Sequence, residues 1–225
     1  MNLLILDPGE RSLPADDPRA RHMLRVLKLA CGDELRAGEL GGRLGTARVT
    51  ATSGGRVELS FTGTARPQPL PGVELLLGHP RPIVLRRLLR DLAAIGPARV
   101  AVTVTDLGEK SYYRANLWDD IATPLREGAA QGGTTLLPEV VRYWSLARAL
   151  EGVRTPAGHR LTLHAGEAGV PHLLDVLSGL EPPSGDGGDA GVGGEPGTRA
   201  SVPTLTLAVG SERGWSDREL ALLRG

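Results

Sequence analysis

The chain has 225 residues, with 26 basic and 26 acidic side chains, so its formal net charge is zero and bulk charge gives no argument for nucleic acid. Hydrophobic residues make up 40% but aromatic residues only 3%, so a core must be built from Leu, Val, Ile and Ala. The length suits two small domains of roughly 100 residues each, and no apolar run reaches the ~18 residues of a membrane span.

The N-terminus, Met1 to Asp7, lacks the basic start and long apolar stretch of a signal peptide, which points to a soluble, cytoplasmic protein. The lone cysteine, Cys31, excludes an internal disulfide framework and a cysteine-based zinc site, and reads as a small buried residue.

Residues 1–66 read as β-rich. Leu3–Leu6, Glu34–Ala37, Leu44–Thr50 and Arg56–Thr62 are short strands, punctuated by the turn signals Gly32-Asp33, Gly41-Gly42 and Gly54-Gly55. Together they suggest a small barrel. A helix from Pro18 to about Leu29 interrupts them. Its Met23, Leu24, Val26, Leu27 and Leu29 would face the barrel, while His22, Arg25 and Lys28 recur every three residues and share another face. Residues 65–72 carry three prolines, which fix φ and remove donors, so this stretch reads as a stiff linker.

From residue 73 to 225 strand and helix patterns alternate. The strands are Val73–Gly78, Arg99–Thr105, Glu139–Tyr143, Arg160–His164 and Thr204–Val209. The first helix, Pro82 to Ile95, has Val84, Leu85, Leu88, Leu89, Leu92 and Ile95 on one stripe and Arg86, Arg87 and Arg90 off it. A second helical pattern covers Arg114–Gln131, where Pro124 must kink or restart the helix. Short helices follow from Ser145 to about Leu150, from Pro171 to about Leu180 and from Ser216. Alternation of this kind implies an α/β layer fold with a mainly parallel sheet, whose ligands bind in loops after strand carboxyl ends. The loops in question follow Thr105, His164 and Val209. Residues 181–202 are rich in Gly and Pro with little to bury, and read as a disordered surface insertion.

Arg81, Arg86, Arg87 and Arg90 form a local basic cluster without an acid, suited to a phosphate backbone as well as to an ordinary solvated face. His159, His164, Glu167 and His172 match no standard zinc spacing, so no metal is expected. Neither Gly-x-Ser-x-Gly nor a P-loop motif occurs. Three segments remain. Arg126 to Pro138 ends a helix in glycines and turns into a strand. Leu163-His164-Ala165-Gly166-Glu167-Ala168 is a strand end opening into small residues. In the third, a buried strand runs into Gly210-Ser211-Glu212-Arg213-Gly214, and Ser216 with Glu219 forms a capping box that starts a helix. Glycines there let backbone approach a ligand closely, and the helix start offers donors to a polar or anionic group.

In order and spacing these pieces resemble the RsmE family, SPOUT-class enzymes that methylate N3 of a uridine in small-subunit (16S) ribosomal RNA. The likeness rests on His22-Met23-Leu24-Arg25-Val26-Leu27-Lys28 followed by Gly32-Asp33, on Asp106 to Ser111, on Glu127, Gln131 and Pro138, and on the Gly210–Gly214 loop. The resemblance implies an N-terminal PUA-like β-barrel over residues 1–66 that docks RNA. It also implies a C-terminal SPOUT α/β domain over 73–225 with a trefoil knot, S-adenosylmethionine as cofactor, and a homodimer with its active site near the subunit interface. Glu127 and Gln131 are then the candidate catalytic residues. His164, Ala165, Gly166, Gly210, Ser211, Glu212 and Gly214 are the cofactor candidates, and His22, Arg25, Lys28, Arg86, Arg87 and Arg90 the RNA candidates.

Ala130, Thr134, Ser211 and Arg213 depart from the family pattern. Related sequences also continue past the position of Gly225 with a segment that completes the knot. The reading frame is therefore expected to continue, since Leu220, Leu222 and Leu223 would otherwise have little to pack against. The alternatives are a non-catalytic RNA-binding protein on the same fold, with an incomplete cofactor pocket, and a SPOUT enzyme with another RNA target.

Overall fold

The computed structural model describes residues 2–153, 158–164, 169–180 and 204–224. Two compact units divide the chain: Met1–Pro69, Arg87–Gly96 and Ile121–Leu137 make the first, and Leu70–Arg86, Pro97–Asp120 and Pro138–Gly225 the second. The fold is mixed α/β, with one mostly antiparallel sheet and one parallel sheet.

In the first unit, β1 (Leu4–Leu6), β2 (Ser12–Pro14), β3 (Glu34–Glu39), β4 (Leu44–Ala51) and β5 (Arg56–Ala65) pair in the order β1-β3-β4-β5-β2. Only the β1–β3 pair is parallel. Side chains alternate across a strand, so β1 serves two layers. Leu4 and Leu6 join Leu13, Ala37, Ala47, Val49, Val57 and Leu59 in one core. Leu3 and Ile5 pack on the other side with Ala129 and Ala130. Strand β2 escapes a reading by period because it has three residues and ends in Pro14, a residue tolerated at a sheet edge.

The helix expected over 18–29 is shorter. Helix α1 (Pro18–Arg21) runs into a π turn at His22–Val26, where the Leu27 amide donates to His22 O at 3.0 Å. The extra residue in that turn shifts the helical phase. Met23 is buried and Leu24 and Leu29 pack on the core, but Val26 and Leu27 point outward, 64% and 43% exposed, against expectation. Lys28 ends the segment in the left-handed region, with φ 54°. Cys31, expected inside, is exposed, its thiol 3.0 Å from Thr50 O.

Helix α2 (Pro82–Ile95) has the expected bounds, but its buried stripe is narrower. Leu85, Leu89 and Leu92 are buried, whereas Val84 and Ile95 are exposed. At 3.6 residues per turn, both sit roughly 80–100° from Leu85, at the margin of the stripe. Helix α3 (Ala122–Gly132) begins well after the expected Arg114, because two 3-10 turns, Lys110–Arg114 and Asn116–Asp119, precede it. Pro124 lies in its first turn, where its missing N–H leaves no bond unmade. Gly128 and Gly132 are there for contact: a Cβ on either would lie 1.9 Å from Arg90 O or 2.5 Å from Ala94 O.

The second unit holds β6 (Val73–Gly78), β7 (Arg99–Thr103), β8 (Glu139–Tyr143), β9 (His159–Leu163) and β10 (Leu205–Val209), all parallel, in the order β8-β7-β6-β10-β9. The remaining helices are α4 (Leu146–Glu151), α5 (Leu173–Gly179) and α6 (Asp217–Arg224). Leu76, Ala101, Leu146, Ala149, Ala208, Trp215 and Leu220 form a core against which Leu223 packs. The expectation that the last leucines lack partners therefore holds only for Leu222. The expected insertion at 181–202 lies outside the described residues.

Candidate functional site

Chain order along the parallel sheet reverses at β6: β7 and β8 lie on one side, β10 and β9 on the other. Ligands of such sheets sit at the carboxyl ends of the strands flanking the reversal. There the loop after β6, His79-Pro80-Arg81, meets the loop after β10. The Arg81 amide donates to Glu212 Oε1 at 2.9 Å, and a Cβ on Gly78 would come within 2.5 Å of the Ser211 amide nitrogen. The Gly210–Gly214 loop closes on itself. Gly214 N donates to Ser211 O at 2.9 Å, Gly214 has φ 75°, and a Cβ on Gly210 would lie 2.8 Å from Gly214 Cα. Glycine is required at both positions.

The capping box expected from sequence is present. Ser216 N donates to Glu219 Oε2 at 2.9 Å, and Glu219 N donates to Ser216 Oγ at 3.2 Å. Sequence reasoning missed the second task of Glu219, which is 2% exposed: its Oε1 accepts the Asp106 amide at 2.8 Å. Asp106 in turn accepts from Ser216 Oγ at 2.8 Å and from Arg218. The loop after β7 is thus tied to the start of α6. No periodicity signals a tie across more than a hundred residues.

The Arg81 amide holds the Glu212 carboxyl below its ordinary range, so Glu212 is an ionised loop anchor at neutral pH. The Arg218 guanidinium and the Ser216 hydroxyl do the same for Asp106. His79 is 3% exposed, and burial pushes its imidazole below the ordinary 6.5. Its Nδ1 lies 2.7 Å from Pro80 O, and its Nε2 accepts from Trp118 Nε1 at 3.2 Å. A neutral ring with the proton on Nδ1 satisfies both contacts.

With its folded pKa depressed, His79 favours folding fully above 6.5 and progressively less as pH falls toward the folded value. Thermal melts from pH 7.5 down to 5.5 should therefore show a loss of stability, and His79→Asn should flatten that slope. An equal slope in the variant would refute this role.

A cavity of about 910 Å³ opens at the carboxyl ends of β9 and β10, lined by Leu161–His164, Val170–Leu173 and Val176 together with Val209–Glu212 and Gly214. That volume is within the ~300–1,000 Å³ of small-molecule sites. His164, Gly210, Ser211, Glu212 and Gly214 come together here. Ala165 and Gly166 lie outside the described residues. Ser211 Oγ is buried without a protein partner. A second cavity, of about 160 Å³, lies between the loops after β6, β7 and β10, with His79, Arg81, Tyr112, Ser211 and Glu212 in its lining.

The other candidates are distributed differently. Glu127 and Gln131 are exposed on α3 in the first unit, where Glu127 lines a cavity of about 350 Å³ with Ile5, Asp17, Arg19, Arg126 and Ala130. The helix bearing Gln131 is pinned by the bond from Asn2 Nδ2 to Gln131 O at 2.9 Å, and Arg126 pairs with Asp7 at 2.5 Å. Arg25 and Lys28 are exposed and His22 half-buried. The π turn breaks the shared face expected of the three. Arg86, Arg87 and Arg90 are exposed on α2, with Arg90 beside Asp91 at 3.3 Å. Among the described residues no three His, Cys, Asp or Glu side chains converge, and no helix is long and apolar enough to cross a membrane.

A family model described as an RNA methyltransferase domain matches residues 66–225. The chain is 33% identical to ribosomal RNA small subunit methyltransferase E of Treponema pallidum, a match covering 99% of this chain and 79% of that protein. It is 28% identical to ribosomal RNA small subunit methyltransferase E 1 of Borreliella burgdorferi, covering 99% and 85%. Among solved structures, ribosomal RNA small subunit methyltransferase E of Neisseria gonorrhoeae bound to S-adenosylmethionine superposes with a TM-score of 0.67 at 18% identity, covering 100% of this chain and 85% of that one.

Proposed function

The chain belongs to the RNA methyltransferase family that includes ribosomal RNA small subunit methyltransferase E, and on that premise we propose that it methylates N3 of a uridine in small-subunit (16S) ribosomal RNA with S-adenosylmethionine as methyl donor. The observation that carries the cofactor assignment is the closed Gly210–Gly214 loop beside the 910 Å³ cavity, with Ser211 Oγ buried and unpartnered. Glycine backbone leaves room for close approach, and an orphaned hydroxyl suits a polar cofactor.

His164, Gly210, Ser211 and Gly214 hold that cofactor, together with Ala165 and Gly166, while Glu212 fixes the loop through Arg81. Bound S-adenosylmethionine supplies an electrophilic methyl carbon on a sulfonium. Uracil N3 carries a proton that must leave as the methyl arrives. Glu127, an exposed carboxylate, is assigned to accept it, and Gln131, one helical turn on, to hydrogen-bond the base edge. His22, Arg25, Lys28, Arg86, Arg87 and Arg90 are assigned to the RNA backbone.

The same reading takes residues 1–66 as a PUA-like RNA-docking barrel and 73–225 as a SPOUT domain with a trefoil knot. It also takes the active form as a cytoplasmic homodimer. The curled sheet of the first unit and the all-parallel sheet of the second support the two-domain part of that reading.

Titration calorimetry with S-adenosylmethionine should give saturable heat, and small subunits from a strain lacking the gene should gain 3-methyluridine when incubated with the protein. Glu127→Gln should slow methylation about 10²–10⁴-fold, the usual worth of a general base, with cofactor affinity unchanged. Absence of heat at saturating cofactor, or 3-methyluridine undiminished in the deletion strain, would overturn the proposal.

A further inference from the structure

We infer that the groove walled by Trp144, at the carboxyl ends of β7 and β8, is a stacking site for an unpaired nucleotide of the substrate RNA; this rests on the methyltransferase reading and adds a second RNA contact to it. The chain has only three Trp, three Tyr and one Phe. Four of these, Tyr112, Tyr113, Trp118 and Trp144, fall in the two segments that follow β7 and β8. Such crowding is not required by the core, which is aliphatic.

Trp144 is 52% exposed, beside a cavity of about 320 Å³ that Thr105, Asp106, Lys110 and Arg218 also line. Its ring is nonetheless held. It stands edge-on to Tyr113, with centroids 4.9 Å apart at 85°. The Arg142 guanidinium lies 4.8 Å from the Tyr113 ring centroid and 5.2 Å from that of Trp118, and its Nη1 donates to Tyr113 O at 2.7 Å. The platform is therefore ordered before any ligand arrives, which lowers the entropy cost of binding.

The polar lining suits a nucleotide. Thr105 is 3% exposed, and its Oγ1 has no partner. The lining carboxylates are already engaged, Asp106 by Arg218 and Ser216, and Glu219 by backbone amides. Lys110 in the lining adds positive charge for a phosphate. An aromatic face with neighbouring cations is how proteins hold unstacked bases, and it tolerates any base because each has a π face. A base-modifying enzyme must take its target out of the stack, and the neighbouring nucleotides then need a surface of this kind.

The test titrates a short single-stranded oligouridylate into the full chain at fixed salt, following both anisotropy and tryptophan fluorescence. Trp215 is 4% exposed and Trp118 is half-buried between His79 and Arg142, so quenching should come chiefly from Trp144, the most exposed of the three. Trp144→Ala should weaken binding about tenfold or more, the usual worth of one stacked base. Trp144→Phe should keep the affinity within about threefold, since a ring remains, while losing most of the quenching. Both variants should bind S-adenosylmethionine as the wild type does, which also establishes that they fold. Unchanged oligonucleotide affinity in Trp144→Ala overturns the inference. So does a shift to a smaller species in sedimentation with RNA affinity unchanged, which would mark the groove as a contact with a second copy of the chain. Wild-type protein that binds the cofactor but no oligonucleotide overturns it too, whereas failure of the wild type to bind either overturns the methyltransferase reading itself.

Discussion

Gly128→Ala should lower stability by about 3 kcal/mol or more, the upper range for an overpacked site, because the new methyl has nowhere to go. Its Cβ would lie 1.9 Å from Arg90 O and 2.8 Å from Ala93 Cβ. The first of these is backbone in the middle of α2, which cannot rotate away as a side chain would. Helix α3 would have to lift off α2, and Ala129 and Ala130 would lose their contacts with Leu3 and Ile5. For a chain of this size the melting temperature should fall by roughly 6 °C or more. Glu127 and Gln131, the proposed catalytic pair, lie on the same helix, so on that proposal methyl transfer should fall further than the folded fraction does. Gly133→Asn is the control. Gly133 caps α3 with φ 72°, and only Arg36 Nη2, at 3.8 Å, comes near its Cβ position. Asparagine tolerates that conformation, so melting within about 2 °C of the wild type is expected. Equal melting temperatures for Gly128→Ala and the wild type would show that the two helices do not pack this closely.

Glu74→Ala should be as damaging, for an electrostatic reason. Glu74 is 0% and Arg99 3% exposed, and they pair directly at the amino ends of β6 and β7. Arg99 also donates to Gly152 O at 3.0 Å and to Tyr143 Oη at 2.7 Å. Removing the carboxylate leaves the buried guanidinium with only the part-exposed Glu139, 3.6 Å from its Nε, as counter-charge, and breaking comparable buried pairs costs about 3–5 kcal/mol. The double variant Glu74→Leu with Arg99→Met removes both charges and should recover most of that loss. The pair lies at the end of the sheet opposite the Gly210–Gly214 loop, so S-adenosylmethionine affinity well below the melting temperature should stay within about twofold of the wild type. Denaturant melts of both variants alongside calorimetry separate the two effects. A Glu74→Ala protein as stable as the double variant would show that the buried charge is compensated elsewhere.

Local patterns carried far. The bounds of α2 could be read from Pro82, its apolar stripe and Gly96-Pro97. The capping box of Ser216 and Glu219 lies within four residues, and the strand running into Gly210 is a short run of Leu, Thr, Ala and Val ended by glycine. The gathering of His164, Gly210, Ser211, Glu212 and Gly214 around one cavity followed from strand alternation and the rule for parallel sheets. The patterns failed where local geometry departs from an ideal period. The π turn at His22–Val26 turned Val26 and Leu27 outward and broke the shared face of His22, Arg25 and Lys28. The 3-10 turns before α3 moved Trp118 off a supposed helix and onto His79.

By itself, then, the sequence determined the alternation of strands and helices after residue 73, the aliphatic core, the Gly210–Gly214 loop and the family, because each is written in contiguous residues or in their fixed spacing. Only the tertiary structure decided that Gly128 and Gly132 are contact residues, that Glu219 reaches Asp106, that Glu74 is buried against Arg99, and that Tyr113, Trp118, Arg142 and Trp144 form one surface. These are pairings between residues distant in the chain. They depend on how strands order themselves in a sheet and how closely two helices can approach, and packing sets those distances rather than periodicity.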